Sequence, residues 1–239
     1  MDSENNLMNV FEDKSKQIPI RYIKMKNYYK GKIEEYTLVG VLYNRQHTRK
    51  DKKSQYIYFP IGSIDYSEKT DSVKLLMDPW LVKSWNFSKR IKEVEGEVNC
   101  IFTFANIEQL ESHIREYFHE VFEDDCLQLM DIWFMKFVSE LYLRFHEKFG
   151  RRFKLTSFRL ISCSFYMHEK YKVTVKSKFS DNNQKWFFCA KYKDHRILEN
   201  SSEKKIDMSK KSDRRKNVKR LLNHVLIKTY TDIDGNCMR

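Results

Sequence analysis

The sequence has few of the residues that build phosphate-binding loops. Only six of its 239 residues are glycine and three are proline. It contains no glycine-rich phosphate loop, no Gly-x-Ser-x-Gly elbow and no Cys-x-x-Cys pair. Because nucleotide-using enzymes need glycine where the backbone approaches a phosphate, this scarcity argues against that class. A composition that is 41% hydrophobic and 15% aromatic also argues against a disordered chain.

Long apolar runs are also lacking. None reaches the roughly 18–20 residues that a membrane-spanning helix requires, so we expect no membrane partner. The first four residues, Met1 to Glu4, are acidic and polar, unlike a secretory signal. The five cysteines are odd in number and four of them lie in apolar segments. They are typical of reduced, buried thiols in the nucleus or cytoplasm.

The chain is rich in positive charge, and this charge is unevenly distributed. The formal net charge is +12. The stretch 107–149 holds ten acids and four bases, so the rest of the chain carries +18. The run 204–220 holds nine bases and two acids. Because a folded protein with this excess repels itself, the pattern indicates a polyanionic partner such as DNA or RNA.

The order of the predicted elements indicates an α+β fold, because strands and helices segregate along the chain. We predict an N-terminal antiparallel β-rich part, a central helix pair with one buried helix, and a C-terminal three-strand meander followed by an amphipathic helix. The predicted strands are 18–25, 36–43, 56–59 (ended by Pro60), 73–77, 98–104, 158–167, 171–179 and 185–192. A short helix begins at Pro79, and longer helices begin at 107, span 126–149 up to Gly150, and span 213–228, after a polar linker at 199–212.

The predicted domain organisation has one soft boundary near Gly150. Residues 1–17 form a polar N-terminal tail, 18–150 hold the β-rich part and the helix pair, 151–230 hold the meander and the last helix, and 231–239 form a C-terminal tail. The alternative is one continuous domain built around the buried helix.

The meander predicts a basic sheet surface. In its second and third strands, apolar residues alternate with lysines, so one face is apolar and the other carries lysines with an aromatic ring among them. Lysines bind phosphates, and an aromatic ring on a sheet can stack on a base. The alternative is an ordinary solvated sheet face. The candidate nucleic-acid-binding residues here are Lys172, Lys176, Lys178, Lys185, Phe187 and Lys191.

A second basic candidate begins the last helix. Its composition is similar to that of a nuclear localisation signal, and it could equally bind phosphates from a helix face or serve as a solubilising helix surface. The candidate residues are Lys210, Lys211, Arg214, Arg215, Lys216, Lys219 and Arg220.

Acidic and metal-binding residues give weaker signals. Four acids between the two central helices suggest a partner-binding patch: Glu120, Glu123, Asp124 and Asp125. With the neighbouring His119 they could instead hold a metal ion for a nuclease. The pairs Cys163 with His168 and Cys189 with His195 lack the usual zinc spacing. We therefore predict no metal site and no cofactor.

These patterns predict a non-enzymatic nucleic-acid-binding subunit of a larger nuclear assembly that also contacts a protein partner. The first alternative is a protein–protein adaptor or scaffold without nucleic-acid contact. The second alternative is a divergent metal-dependent nuclease.

Overall fold

The computed structural model describes residues 18–29, 32–45, 55–67, 70, 72–82, 101–123, 129–159, 161–167, 171–194 and 201–237. Two five-stranded antiparallel sheets and four α-helices make up the described chain, and the predicted α+β class is confirmed. The first half comprises β1 Ile20–Tyr29, β2 Lys32–Arg45, β3 Gln55–Ser67, β4 Ser72–Met77, α1 Pro79–Val82, β5 Ile101–Phe104 and α2 Ile107–Glu123. The second half comprises α3 Leu129–Phe149, β6 Phe153–Arg159, β7 Ser162–Met167, β8 Tyr171–Ser180, β9 Lys185–Asp194, β10 Ser201–Asp207 and α4 Arg214–Cys237.

Each sheet pairs its strands in chain order, from β1 to β5 and from β6 to β10, and each is followed by a helix. The same topology therefore occurs twice, although the sequence shows no internal repeat. The predicted meander is present, and β6 and β10 extend it to five strands.

The helices and sheets form layers. Tyr58 of β3 lies against Tyr142 of α3, with ring centroids 6.5 Å apart. The next residue, Phe59, lies at the same distance from Phe118 of α2. Because successive strand residues point to opposite faces, α2 and α3 cover opposite faces of the first sheet. Helix α3 also contacts β6 and β8, while α4 packs beside it on β9 and β10. The order of layers is α2, first sheet, α3 with α4, second sheet.

Helix α3 is the centre of the core. As predicted from its apolar sequence, it is buried on nearly every side. Phe137 and Phe145 are fully buried. Phe145 meets Phe165 of the second sheet at 5.4 Å, and the hydroxyl of Ser139 donates to the carbonyl of Tyr58 in the first sheet. Within the described residues, no helix combines the length and apolarity needed to cross a bilayer.

Three sequence predictions are corrected by the strands. Pro60 does not end β3, because it lies next to a bulge opposite Gly40, where a strand tolerates the missing N–H. The predicted strand 158–167 is the hairpin of β6 and β7. Residues 201–207 of the predicted linker 199–212 form strand β10, and a 3₁₀ turn at Lys211–Asp213 precedes α4. Helix α4 continues beyond its predicted end at residue 228 to Cys237.

Candidate nucleic-acid interface

The two faces of the second sheet have opposite character. Val173, Val175 and Phe188 lie on the inner face and are fully buried. Phe188 packs on Phe134 and Phe137 of α3 at 5.3 and 6.1 Å between ring centroids. The predicted alternation along β8 and β9 is therefore confirmed, and the lysines lie on the outer face.

The outer face gathers lysines from four strands. We call this surface the basic sheet face. Seven lysines define it, of which six are exposed and Lys172 is half-buried. The seven are Lys154, Lys172, Lys176, Lys178, Lys191, Lys193 and Lys205. Two further exposed cations lie on the same face: Lys185, and Arg159, whose partner Ser162 lies in the row of Lys176.

The strand register places some of these cations side by side. Lys172 and Lys193 are direct cross-strand partners, and Tyr166 separates Lys172 from Lys154 in the same row. Neighbouring strands are about 4.8 Å apart, and like charges directly opposite one another are destabilising. The fold therefore holds positive charges close together at an energetic cost that packing does not require.

A second row crosses the centre of the face. There Lys176 and Lys205 flank Cys189 from the two neighbouring strands. Among the described residues, no ion pair engages Lys172, Lys176, Lys178 or Lys193. Lys191 differs, because the exposed acid Glu203 is its direct cross-strand partner. The predicted site residue Lys185 also differs, because its Nζ lies 3.4 Å from the carboxylate of Asp207.

The segment containing this face accounts for the charge of the whole protein. Residues 153–220 hold nineteen bases and seven acids, which gives +12, the same as the net charge of the chain. Helix α2 lies at the other end of the layer order and exposes Glu108 and Glu116. Charge is therefore separated across the layers, with the cations concentrated in the second half of the chain.

Lysine side chains lie over the aromatic rings of the basic sheet face. The Nζ of Lys205 lies 3.8 Å from the ring centroid of Phe187, and that of Lys172 lies 5.3 Å from Tyr166. Such a cation–π contact holds the ammonium over the ring face. A base could stack on Phe187 only after displacing Lys205, so the surface suits phosphates better than bases.

The candidate residues of the basic run divide into different roles. Arg214 donates from Nε to the carbonyl of Met208 at 2.9 Å and from Nη2 to that of Ser209 at 3.2 Å. It therefore anchors the start of α4. Lys210 and Lys211 are exposed before α4, beyond the end of β10.

The remaining cations of the basic run lie on α4. This helix packs on the inner face of the second sheet through Leu221 and Val225, as its apolar stripe predicted. Its exposed cations are therefore in a different layer from the basic sheet face. They are Arg215, Lys216, Lys219 and Arg220.

The acidic candidates fall largely outside the described structure. Asp124 and Asp125 lie outside the described residues, and only the backbone of Glu120 and Glu123 is described, within α2. The predicted partner-binding patch stays a prediction.

The cysteine pair does not form a metal site. Cys163 is the partner of Val175 on the inner face, whereas Cys189 is the partner of Lys176 on the outer face. The two thiols therefore point to opposite sides of the sheet. His168 and His195 lie outside the described residues. The part of the chain that is described contains no group of three or more potential metal-ligating side chains.

Three lysines of the basic sheet face were not among the nucleic-acid-binding residues predicted from the sequence. Lys193 continues the alternation of β9 and could have been found by extending that strand by one residue pair. Lys154 and Lys205 depended on recognising β6 and β10, whose lysines and serines give a weak strand signal.

Comparison with known proteins adds no assignment: no family model, curated protein or solved structure matches this chain.

Proposed function

We propose that this protein binds nucleic acid through the basic sheet face, as a non-enzymatic subunit of a larger nuclear assembly. The observation that supports this proposal best is the set of lysines that one open sheet face holds side by side, most of them without an ion pair to any described residue. A polyanion that lies across the face neutralises their repulsion and releases its own counterions.

The contacts favour recognition of phosphates over recognition of bases. Lysine is a mobile point charge without the planar fork that arginine uses to read guanine. Arg159 at the β6 edge is the one arginine among the described cations of this face, and lysines cover its aromatic rings. We therefore expect binding with little sequence preference, to a duplex or to a single strand.

The nuclear part of the proposal rests on the basic run. Lys210, Lys211, Arg215 and Lys216 are exposed, as recognition by an import receptor requires. Replacing these four residues with glutamine in a fluorescently tagged chain is expected to shift the protein from the nucleus to the cytoplasm. An unchanged nuclear signal would contradict the targeting role.

Binding to a labelled oligonucleotide duplex and a single strand at increasing salt tests the proposal. If about four lysines contact phosphates, log affinity falls with log salt with a slope of about −3.6 for duplex DNA. This slope corresponds to a loss of about 100-fold between 50 and 200 mM salt. An affinity that hardly responds to salt would contradict phosphate neutralisation.

The covered aromatic ring gives a second test. We expect Phe187→Leu to change oligonucleotide affinity by less than about twofold, because Lys205 already occupies the ring face. A loss of about tenfold or more for single strands would show that a base stacks on Phe187 instead.

A further inference from the structure

Strand β10 leaves one edge of the second sheet open. Within the described chain, β9 is its only strand neighbour. The N–H of Met208 donates to the carbonyl of Trp186 at 2.7 Å, so residue 208 points its backbone groups toward β9. Because these groups alternate along a strand, Glu203, Lys205 and Asp207 direct their N–H and C=O away from β9. An open edge of this kind is a template for another strand.

Helix α4 forms a wall beside this edge. Its residues Asn217, Arg220, His224 and Ile227 face β10 at helical spacing and enclose a groove of about 700 Å³. The amide of Asn217 donates to the carbonyl of Asp207 at 2.7 Å and closes one end of the groove. The edge groups of Glu203 and Lys205 lie beyond that closure.

The groove combines apolar contact with positive charge. Ile227 is 66% exposed, although the other apolar residues of α4 up to Ile233 are buried or half-buried. Together with the half-buried Ile206 it offers apolar surface. Lys204, on the same face of β10 as Ile206, and Arg220 of α4 add two cations, while the Lys205 side chain lies on the opposite face over Phe187. The single acid of the lining, Asp207, is engaged by Lys185 and by the N–H of Ser209.

We propose that an extended acidic peptide of a partner protein binds in this groove as an added strand beside β10. Backbone hydrogen bonds to Glu203 and Lys205 hold the chain, apolar side chains lie on the two isoleucines, and the carboxylates, which alternate to the opposite face, meet Lys205. Nucleic acid fits the groove less well, because its backbone lacks the alternating N–H and C=O groups that pair with a strand edge and carries no apolar side chains to cover isoleucine. The proposal does not rest on nucleic-acid binding by the basic sheet face.

The test uses a fluorescein-labelled, capped octapeptide that alternates valine and glutamate, and measures its anisotropy with the full-length protein. The decisive variant is Lys205→Pro, which removes the outward N–H but leaves the bonds to β9 intact. Its matched control is Lys205→Thr, which removes the same charge and keeps the N–H. A valine–lysine octapeptide controls for charge.

We expect Lys205→Thr to weaken binding by about threefold and Lys205→Pro to weaken it by about a further tenfold, the effect of one lost hydrogen bond. Ile227→Ser, a change on the surface of α4, should weaken binding by about threefold as well. Thermal unfolding of each variant checks that the fold is retained. The valine–lysine peptide should not bind.

Several results would overturn the proposal. These are the absence of saturable binding of the acidic peptide, or equal affinities for Lys205→Pro and Lys205→Thr. Self-association of the protein that Lys205→Pro abolishes would assign the edge to a second copy instead. The variant Lys176→Gln/Lys191→Gln/Lys193→Gln should keep full peptide affinity, which separates this test from that of the basic sheet face.

Discussion

At the scale of single residues, the most unusual environment is a buried polar cluster between the two sheets. The Asp78 carboxylate accepts a hydrogen bond from the Tyr142 hydroxyl at 2.7 Å and from the N–H of Leu155 at 3.2 Å. His146 lies next to Tyr142, with ring centroids 4.5 Å apart, and its Nδ1 is 2.9 Å from the Tyr36 hydroxyl. Asp78 therefore links the first sheet to α3 and to β6.

Burial shifts the two ionisable groups of the cluster in opposite directions. Desolvation raises the pKa of Asp78 to about 7, against its two hydrogen bonds. Desolvation, aided by Arg151, lowers the pKa of His146 to about 3. Both groups are thereby favoured in their neutral forms in the folded protein.

The two shifts give opposing effects of pH on stability. For Asp78 the folded pKa exceeds the unfolded value, so its contribution is complete in acid and is lost as pH rises through about 7. For His146 the folded pKa lies below the unfolded value, so its contribution is complete above pH 6.5 and is lost as pH falls toward about 3. Between pH 5 and pH 8 the two contributions largely cancel.

Single substitutions should reveal how each group changes the free energy of unfolding with pH. In Asp78→Asn, we expect the free energy of unfolding to rise by about 2 kcal/mol more between pH 5 and pH 8 than in the wild type. In His146→Asn, we expect it to fall by about 2 kcal/mol more over the same range. Urea unfolding at the two pH values measures both. Parallel pH dependence in all three proteins would show that folding shifts the pKa of neither group.

The role of Asp78 shows what local sequence reveals at this scale. An acid before a proline predicted the start of a short helix, and α1 does begin at Pro79. The partners of the carboxylate, Tyr142 and Leu155, lie 64 and 77 residues further along the chain. Such long-range pairs depend on the packing of the layers and leave no local signal.

At the scale of elements, helix ends and apolar patterns were predictable. Gly150 has φ of +59° directly after α3, the left-handed conformation that ends helices and favours glycine. The apolar faces of α3 and α4 and the strand alternation of β8 and β9 also followed from periodicity. The charged edge strand β10 was missed, because it gains stability from pairing with β9 and not from its own composition.

The helix end at Gly150 gives a stability prediction. Gly150→Ala should lower the free energy of unfolding by about 1 kcal/mol or more, because alanine is strained at this φ. Its Cβ would also lie 2.7 Å from the carboxylate of Glu34. Urea unfolding of Gly150→Ala measures the sum of both effects.

The two causes can be separated with a double variant. In a Glu34→Ala background the contact with the carboxylate is absent, so the remaining loss on adding Gly150→Ala reports the backbone strain together with the weaker contact at 3.3 Å with Asn27. An alanine variant as stable as the wild type in either background would contradict the account of this helix end.

At the scale of the whole molecule, the layer order decides which charges are displayed. The apolar faces of the two sheets are buried in the inner layers, and the outer face of the second sheet stays open. Sequence analysis predicted a lysine-bearing face there and gave the basic run as a second candidate surface. The fold places most of that run on α4, across the sheet from the face, because the apolar stripe of α4 must be buried.

The central claim is therefore that the position of the positive charge, and not its total amount, governs binding. Two triple variants that lose the same three charges test it. Lys176→Gln/Lys191→Gln/Lys193→Gln neutralises the basic sheet face. Its matched control neutralises three exposed lysines of the first sheet and leaves the second sheet unchanged. These are Lys24, Lys32 and Lys74.

The deciding measurement is the salt dependence of affinity for one labelled duplex, compared between the two triple variants and the wild type. We predict that the variant of the basic sheet face flattens the slope of log affinity against log salt by up to about 2.7, while the control keeps a slope close to the wild type. Equal slopes for the two variants would show that net charge alone governs binding, and would contradict a phosphate-binding surface on the second sheet.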